Sequence, residues 1–92
     1  MISRDSRPRI AAKARLRYDR KAERYMLLYP EKGMVLNPTA ADIAKLCTGE
    51  HSVGAIVDQL ASKYGKEATA IEHEVMDFLS ALAERGLLQE AA

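Results

Sequence analysis

The alternation of apolar and polar residues predicts an antiparallel sheet in the first third of the chain. In residues 15–20, two apolar side chains alternate with charged ones, Leu16 and Tyr18 against Arg15, Arg17 and Asp19. Residues 25–29, YMLLY, are apolar on both sides, which is typical of a central strand. After a turn at residues 30–33, the apolar run Met34, Val35 and Leu36 forms a third strand. The pattern therefore predicts a meander of three short strands.

At Asn37 the apolar period changes from that of a strand to that of a helix. The Asn37 side chain can accept a backbone N–H of the first turn, and Pro38 presets φ where an N–H would be unpaired anyway. Three helices are predicted from the spacing of apolar residues and from their caps: residues 38–47, residues 53–64 between Ser52 and Gly65, and residues 67–85 before Gly86. The fold class is therefore α+β, winged-helix-like, with a three-stranded antiparallel sheet followed by three helices.

Residues 1–14 have no hydrophobic period and include Pro8, so we expect a flexible N-terminal arm that becomes ordered only against a partner or a second copy. The predicted domain spans residues 15–90. The sequence contains no run of eighteen apolar residues, and charges occupy the place where a secretory signal is apolar. These features predict a cytoplasmic protein without a membrane partner.

The charges are distributed unevenly along the chain. Residues 1–32 carry ten Lys and Arg against four Asp and Glu, a net charge of +6, whereas residues 33–92 carry four against nine, a net charge of −5. Mutual attraction of the two halves and a basic binding surface both fit this pattern. The last predicted helix carries five acids and a single Arg85, so DNA phosphates would repel it as a reading helix. We therefore expect no nucleic-acid partner.

Residues that usually carry chemistry are few and scattered. The single cysteine, Cys47, lies on an apolar helical stripe and is expected to be a small buried side chain. His51 at a helix start and His73 on the outward face of the last helix are expected to be solvated. No zinc-ligand spacing, glycine-rich phosphate loop or nucleophile set is present. The sequence predicts a protein that is not an enzyme, uses no metal or cofactor, and works through its surface.

Two long stretches resemble one known family. They read YMLLYPEKGMVLNPTAADIAKLCTGEHSVGAIVDQLASKYG and VMDFLSALAERGLL, and the similarity covers residues from about 15 to 89. The Leu-Asn-Pro-Thr-Ala joint, the Leu-Cys-Thr-Gly after the first helix, and Asp77 carry the resemblance to the PqqD-like proteins of pyrroloquinoline quinone (PQQ) biosynthesis. It implies a non-catalytic peptide chaperone that binds the precursor peptide PqqA and presents it to the radical S-adenosylmethionine (SAM) enzyme PqqE, which crosslinks its Glu and Tyr side chains.

Physical reasoning about such a role points to the third strand. A flexible peptide is held well as an added strand at a free sheet edge, and the last helix can form the second wall of a groove, as the resemblance also implies. The expected peptide-binding residues are Met34, Val35, Leu36 and Asn37 on the strand side, and Val75, Met76, Leu79 and Ala83 on the helix. An arm that permanently caps this edge in the monomer would contradict the hypothesis.

Other hypotheses remain open at this stage. The same groove fits a recognition element that serves a different peptide-modifying enzyme, and the winged-helix shape fits a DNA-binding protein. A free edge also pairs readily with another copy, so a homodimer through the edge strand or the N-terminal arm is expected as one possible assembly.

Overall fold

The computed structural model describes residues 2–90. In chain order the elements are β1 (Pro8–Ile10), β2 (Arg15–Asp19), β3 (Arg24–Tyr29), β4 (Lys32–Leu36), α1 (Pro38–Leu46), α2 (Val53–Tyr64), α3 (Ala68–Glu84) and β5 (Leu88–Glu90). Strands β2, β3 and β4 form the predicted antiparallel meander in that order, and the three predicted helices follow. The α+β class is confirmed.

The meander has one covered face and one open face. Leu16, Leu27 and Met34 lie opposite one another in a row on the inner face, and Leu27 is fully buried. Helix α1 packs against β3 and β4 on this side. The next row, Arg17, Met26 and Val35, lies on the outer face because side chains alternate along a strand. The core is therefore built between the inner face and the helices.

The β3–β4 hairpin turns on two residues, Pro30 and Glu31, since Tyr29 pairs with Lys32. Glu31 takes the positive φ of 62° that such a tight turn requires. Gly33, which the sequence placed in the turn, belongs to β4. Strand β4 is consequently longer than the predicted run of residues 34–36.

The caps form where the sequence predicts them. The Asn37 Oδ1 atom accepts the Ala40 N–H at 2.8 Å, and Ser52 Oγ accepts the Ala55 N–H at 3.1 Å. Gly65 ends α2 with a φ of 62°. Gly86 turns the chain with a φ of 68°, after which the Leu87 N–H donates to the Leu82 carbonyl at 2.9 Å and Leu87 is fully buried. These contacts fix the helix boundaries locally.

The described part of the expected flexible arm is packed on the body of the protein. Strand β1 pairs antiparallel with β5, with Pro8 opposite Glu90. Beside this ladder, the Val53 N–H donates to the Ser6 carbonyl at 2.9 Å and the Ala11 N–H to the Leu87 carbonyl at 2.8 Å. The expectation of a loose arm at residues 1–14 is therefore wrong for residues 2–14, while Met1 lies outside the described residues. A three-residue strand is too short to show a period.

Helices α1, α2 and α3 pack around the core. Their buried positions include Ile43, Ile56, Val57, Ile71 and Leu82, all 2% exposed or less. Within residues 2–90, none of the helices combines the length and the apolar composition that a membrane span needs.

Candidate functional site

Strand β4 forms one edge of the three-stranded sheet. It pairs with β3 along its whole length, Tyr25 opposite Leu36 and Tyr29 opposite Lys32. On its other side, no strand among residues 2–90 pairs with it, and no backbone hydrogen bond from a loop reaches residues 32–36. An edge strand in this position presents a row of backbone N–H and C=O groups to an incoming chain.

The N-terminal arm leaves this edge open. Its strand β1 is paired with β5 in a separate two-stranded sheet, and Arg9 forms a further bridge with Thr48. The condition that would have contradicted strand addition, an edge capped by the arm, is not met in the described chain.

A groove of about 310 Å³ lies where β4 passes into α1, between α1 and α3. Its lining consists of Asn37, Thr39, Ala40 and Ile43 on one side and Glu74, Asp77 and Phe78 on the other. Asn37 holds the first turn of α1 in place through its cap to Ala40, so the groove begins at a rigid joint. The open edge and the groove together offer backbone groups and a concave wall to a guest chain.

The groove has apolar and acidic parts. Ile43 is buried beneath it, and Phe78 is half-buried and packed against the core. The exposed side chains of Glu74 and Asp77 contribute negative charge, and the groove lining includes no Lys or Arg. A peptide with an apolar anchor next to a cationic or uncharged residue fits this wall best.

The four strand-side residues predicted from the sequence occupy different environments. Leu36 is 3% exposed and belongs to the core, whereas Val35 is 54% exposed on the outer face. Met34 is half-buried on the inner face, and Asn37 is the exposed cap residue that lines the groove. The structure thus brings Asn37 to the groove, while β4 contributes chiefly its backbone.

The four predicted residues of α3 do not line the groove. Val75 and Leu79 are fully buried in the core. Successive residues of a helix lie about 100° apart, so Met76 and Ala83 fall on one flank of this buried stripe and Phe78 and Glu74 on the other. Glu72, on the Met76 flank, forms an ion pair with Arg4 of the N-terminal segment.

Sequence reasoning did not place Glu74 and Phe78 in this groove. Neither is among the peptide-binding residues predicted on the last helix, and Asp77 was used only as part of the resemblance. The available signal was a large aromatic residue with acids one and four positions before it, at the border between the apolar and polar faces.

A second cleft, of about 740 Å³, lies on the far side of Asn37 beneath the end of the sheet. Here Asp42 accepts hydrogen bonds from Lys63 Nζ at 2.8 Å and from the Tyr64 hydroxyl. Partial burial acts to raise the pKa of Asp42, but the bonds from Lys63 and Tyr64 outweigh it and hold that pKa below its ordinary value. The Lys45 ammonium lies 4.2 Å from the centre of the Tyr25 ring. These contacts tie α1 to α2 and to the sheet.

The groups considered for chemistry lie apart from both clefts' linings. Cys47 is 5% exposed, as predicted, and burial raises the pKa of its thiol to about 12, so the thiol stays protonated at neutral pH. His51 is half-buried and His73 is exposed. Within the described residues, no three His, Cys, Asp or Glu side chains lie close enough together to hold a metal ion.

Comparison with known proteins identifies the family. The family described as "Coenzyme PQQ synthesis protein D (PqqD)" matches residues 24–88. The chain belongs to the PqqD family. A relative from Rhodopseudomonas palustris (strain BisB5), named "PqqA binding protein", is 40% identical over 90 residues, which is 98% of this chain and 88% of the relative. The resemblance recognised in the sequence is confirmed.

Two solved structures share the fold. One is the PqqD part of Methylobacterium extorquens PqqCD, with a TM-score of 0.83 at 30% identity, covering 97% of this chain and 95% of that one. It is described as a functional and stand-alone recognition element for ribosomally synthesized and post-translationally modified peptides. TbiB1, solved in complex with the TbiA(β) leader peptide, has a TM-score of 0.75 at 23% identity, covering 88% and 94%. The likeness to TbiB1 concerns the fold alone.

Proposed function

We propose that the protein is a peptide chaperone of PQQ biosynthesis, which binds the precursor peptide PqqA as an added strand along β4. The observation that carries the proposal is the unpaired edge of β4 next to the α1–α3 groove. Membership of the PqqD family and the name of the Rhodopseudomonas relative support the choice of PqqA as the guest.

Presentation to PqqE is the second part of the proposal. The protein holds PqqA while the radical SAM enzyme acts on it, and contributes no reacting group itself. The names of the relatives as binding proteins and recognition elements support this role. The proposal places the protein in the cytoplasm, where ribosomal products are released.

The size of the site agrees with a reversible carrier. About five backbone hydrogen bonds at about 1 kcal/mol each and three apolar anchors at about 2 kcal/mol each favour binding. Ordering the peptide costs about 3 kcal/mol. The remaining free energy of about 8 kcal/mol corresponds to a Kd on the order of 1 μM. Such a complex forms readily and still releases its peptide.

Titration of PqqA into ¹⁵N-labelled protein tests the proposal. We expect amide signals of residues 32–40 and 74–78 to shift, because these residues border the edge and the groove. Signals of β1 and β5 serve as the internal control and should stay in place. Unmoved signals at both β4 and α3 would contradict strand addition.

Self-pairing of the free edge is a further part of the proposal. Two copies can join through β4 at high concentration, whereas β1 already has a partner within the chain. PqqA and a second copy would compete for the same backbone groups. Sedimentation should therefore show that added PqqA converts any dimer into a peptide-bound monomer, and a dimer unaffected by saturating PqqA would place self-pairing elsewhere.

A further inference from the structure

The outer face of the three-stranded sheet carries apolar side chains that the core does not use. Val35 is 54% exposed, and Met26 and Leu28 are half-buried on the same face. Met26 and Leu28 lie outside the cluster of side chains that pack against the buried core. Helix α1 lies on the opposite face, and no helix among residues 2–90 covers this one. Met26, Leu28 and Val35 together with Arg15 and Arg17 are called the outer face below.

The register arranges the outer face in two parallel rows. One row runs from Arg17 through Met26 to Val35, and the next from Arg15 through Leu28 to Gly33. A Cβ atom at Gly33 would come within 3.2 Å of Leu28 Cδ2 and of Met26 Cε, so both side chains lean over the glycine. The outer face is therefore net positive along β2, where Arg15 and Arg17 outnumber Asp19, and apolar at Met26, Leu28 and Val35 on β3 and β4.

The positive side of the outer face is not neutralised by the protein. The ion pairs among residues 2–90 are Arg4–Glu72 and Lys63–Asp42, and neither involves Arg15 or Arg17. Arg20 and Lys21 in the following loop border the same shallow surface as Arg17, Met26 and Leu28. Asp19 borders it too, and its carboxylate accepts the backbone N–H groups of Lys21 and Ala22. A surface that matches this one has an apolar centre and acidic residues along one side.

We propose that the outer face binds the enzyme that modifies the bound peptide. The contacting surface of that enzyme has an apolar centre and acidic residues along one side. This inference rests on the proposed function. A peptide strand added to β4 continues the sheet, so every second side chain of the peptide lies on the outer face beside Val35. A partner seated there contacts the apolar strip and the peptide together. Its acidic side meets Arg15 and Arg17 on β2, which β3 and β4 separate from the peptide.

Other occupants of the outer face are less well matched. Nucleic acid would meet the arginines but would leave Met26, Leu28 and Val35 without apolar partners. A second copy could offer the acidic residues of α3, but Glu74 and Asp77 line the groove that the proposed function assigns to PqqA. Both occupants are outcomes of the test below.

The first test reverses the charge of Arg15 and Arg17 and uses PqqE as the probe. In the Arg15→Glu/Arg17→Glu variant, we expect the affinity for PqqE to fall by about tenfold or more, with the largest loss at low salt. The affinity for PqqA alone should stay within about twofold of wild type, since the edge of β4 is unchanged. The matched control is Arg7→Glu/Arg9→Glu, which makes the same change in net charge near β1 and should bind PqqE as wild type does.

The second test removes the apolar part of the outer face. The Met26→Thr/Leu28→Thr variant replaces both apolar side chains with threonine, a residue that favours strands. Both positions are on β3, away from the edge strand β4. We expect about tenfold weaker PqqE binding that salt does not change, because the lost contact is apolar. Circular dichroism and PqqA binding confirm that each variant is folded.

The outcomes separate this inference from the proposed function. Failure of the wild-type protein to bind PqqA would overturn the proposed function, and this titration does not involve PqqE. Unchanged PqqE affinity in a folded Arg15/Arg17 or Met26/Leu28 variant would overturn the inference, as would an equal loss in the Arg7/Arg9 control. A DNA complex or a dimer that the wild type forms and the Arg15/Arg17 variant loses would also overturn it in favour of that occupant.

Discussion

Strands β1 and β4 are both short, yet β1 is hydrogen-bonded to its neighbours, whereas one side of β4 has no pairing strand among residues 2–90. Strand β1 is only three residues long, but it brings a fully buried Pro8, and the adjacent Ala11 is 6% exposed. Strand β4 has five residues and an unpaired side, and next to that side lies a groove instead of a covering segment. The difference indicates that the short strand β1 is held against the protein by side chains that are buried in the core.

The open edge is limited in ways that restrict uncontrolled pairing. It begins with an exposed Lys32 and ends at Asn37 and Pro38, where the helix starts. A short edge bounded by a charge and a proline is a poor template for extended aggregation. The same five residues are long enough for a peptide to form several backbone hydrogen bonds.

Removal of residues 1–12 should have the largest effect on stability. It removes β1 and so tests directly whether β1, unlike β4, is part of the packed structure. Besides the β1–β5 ladder, five backbone hydrogen bonds join residues 4–11 to the loops and to α2. Their loss, with the exposure of Leu87, should cost on the order of 5 kcal/mol, which is close to the whole stability of a small domain. Thermal unfolding followed by circular dichroism measures this.

A loose arm would give a different result in that experiment. In that case the shortened chain would unfold within about 3 °C of the full chain, a change of well under 1 kcal/mol. A control chain that keeps β1 but carries Arg7→Glu/Arg9→Glu should unfold close to wild type. A stable shortened chain would show that β1 and β4 do not differ in the way proposed.

Phe78→Ala and Met76→Ala are a matched pair of variants that tests which flank of α3 contacts a peptide bound at the open edge. Both shorten a half-buried side chain of α3, but only Phe78 lines the groove. We expect Phe78→Ala to weaken PqqA binding by about tenfold, or about 1.4 kcal/mol, through the loss of an apolar wall. The affinity of Met76→Ala for PqqA should stay within about twofold of the wild-type affinity. Isothermal titration calorimetry of both variants shows which flank of α3 contacts the peptide. Stronger loss in Met76→Ala would restore the flank predicted from the sequence.

The α3 wall shows what the sequence could and could not provide. The period of apolar residues placed α3 within one residue at each end, but Val75 and Leu79, which were predicted to bind the peptide, form its buried stripe. It could not tell which flank of that stripe faces the open edge, because that depends on how α3 packs on α1. The helix cap at Asn37 was predicted correctly because Asn37 and the following proline are local features of the sequence.

The two sheets show the same limit. The β2–β3–β4 meander was predictable because its strands are neighbours in sequence and are joined by short turns. The β1–β5 pair joins residues about eighty positions apart through three-residue strands, and neither end shows alternation. Only the folded chain brings Pro8 and Glu90 together. The outer face was partly visible from the alternation of Arg15 and Arg17 with Leu16 and Tyr18, but its lack of a covering element was not.

The smallest predicted effect concerns Asp42, on the side of Asn37 away from α3. The folded-state pKa of Asp42 is lowered, so its bonds to Lys63 and Tyr64 contribute stability above the ordinary pKa of 3.8 and lose it as pH falls through the folded value. Asp42→Asn should therefore lower stability by less than about 1 kcal/mol near pH 7, and the difference from wild type should disappear in strong acid. Urea unfolding at several pH values measures this, with Asp58→Asn on α2 as the control. PqqA affinity should be unchanged, and a clear loss would extend the site to the second cleft.

The pairing of β1 with β5 has a practical consequence for joining this domain to other proteins. Because Pro8 lies opposite Glu90, the end of β5 lies beside the start of β1, in the two-stranded sheet that does not include β4. The chain before β1 instead runs along the start of α2, where the Val53 N–H donates to the Ser6 carbonyl and the Gly54 N–H to the Arg4 carbonyl. A tag or a fused protein joined after β5 therefore starts from a sheet other than the one whose edge is proposed to bind the peptide.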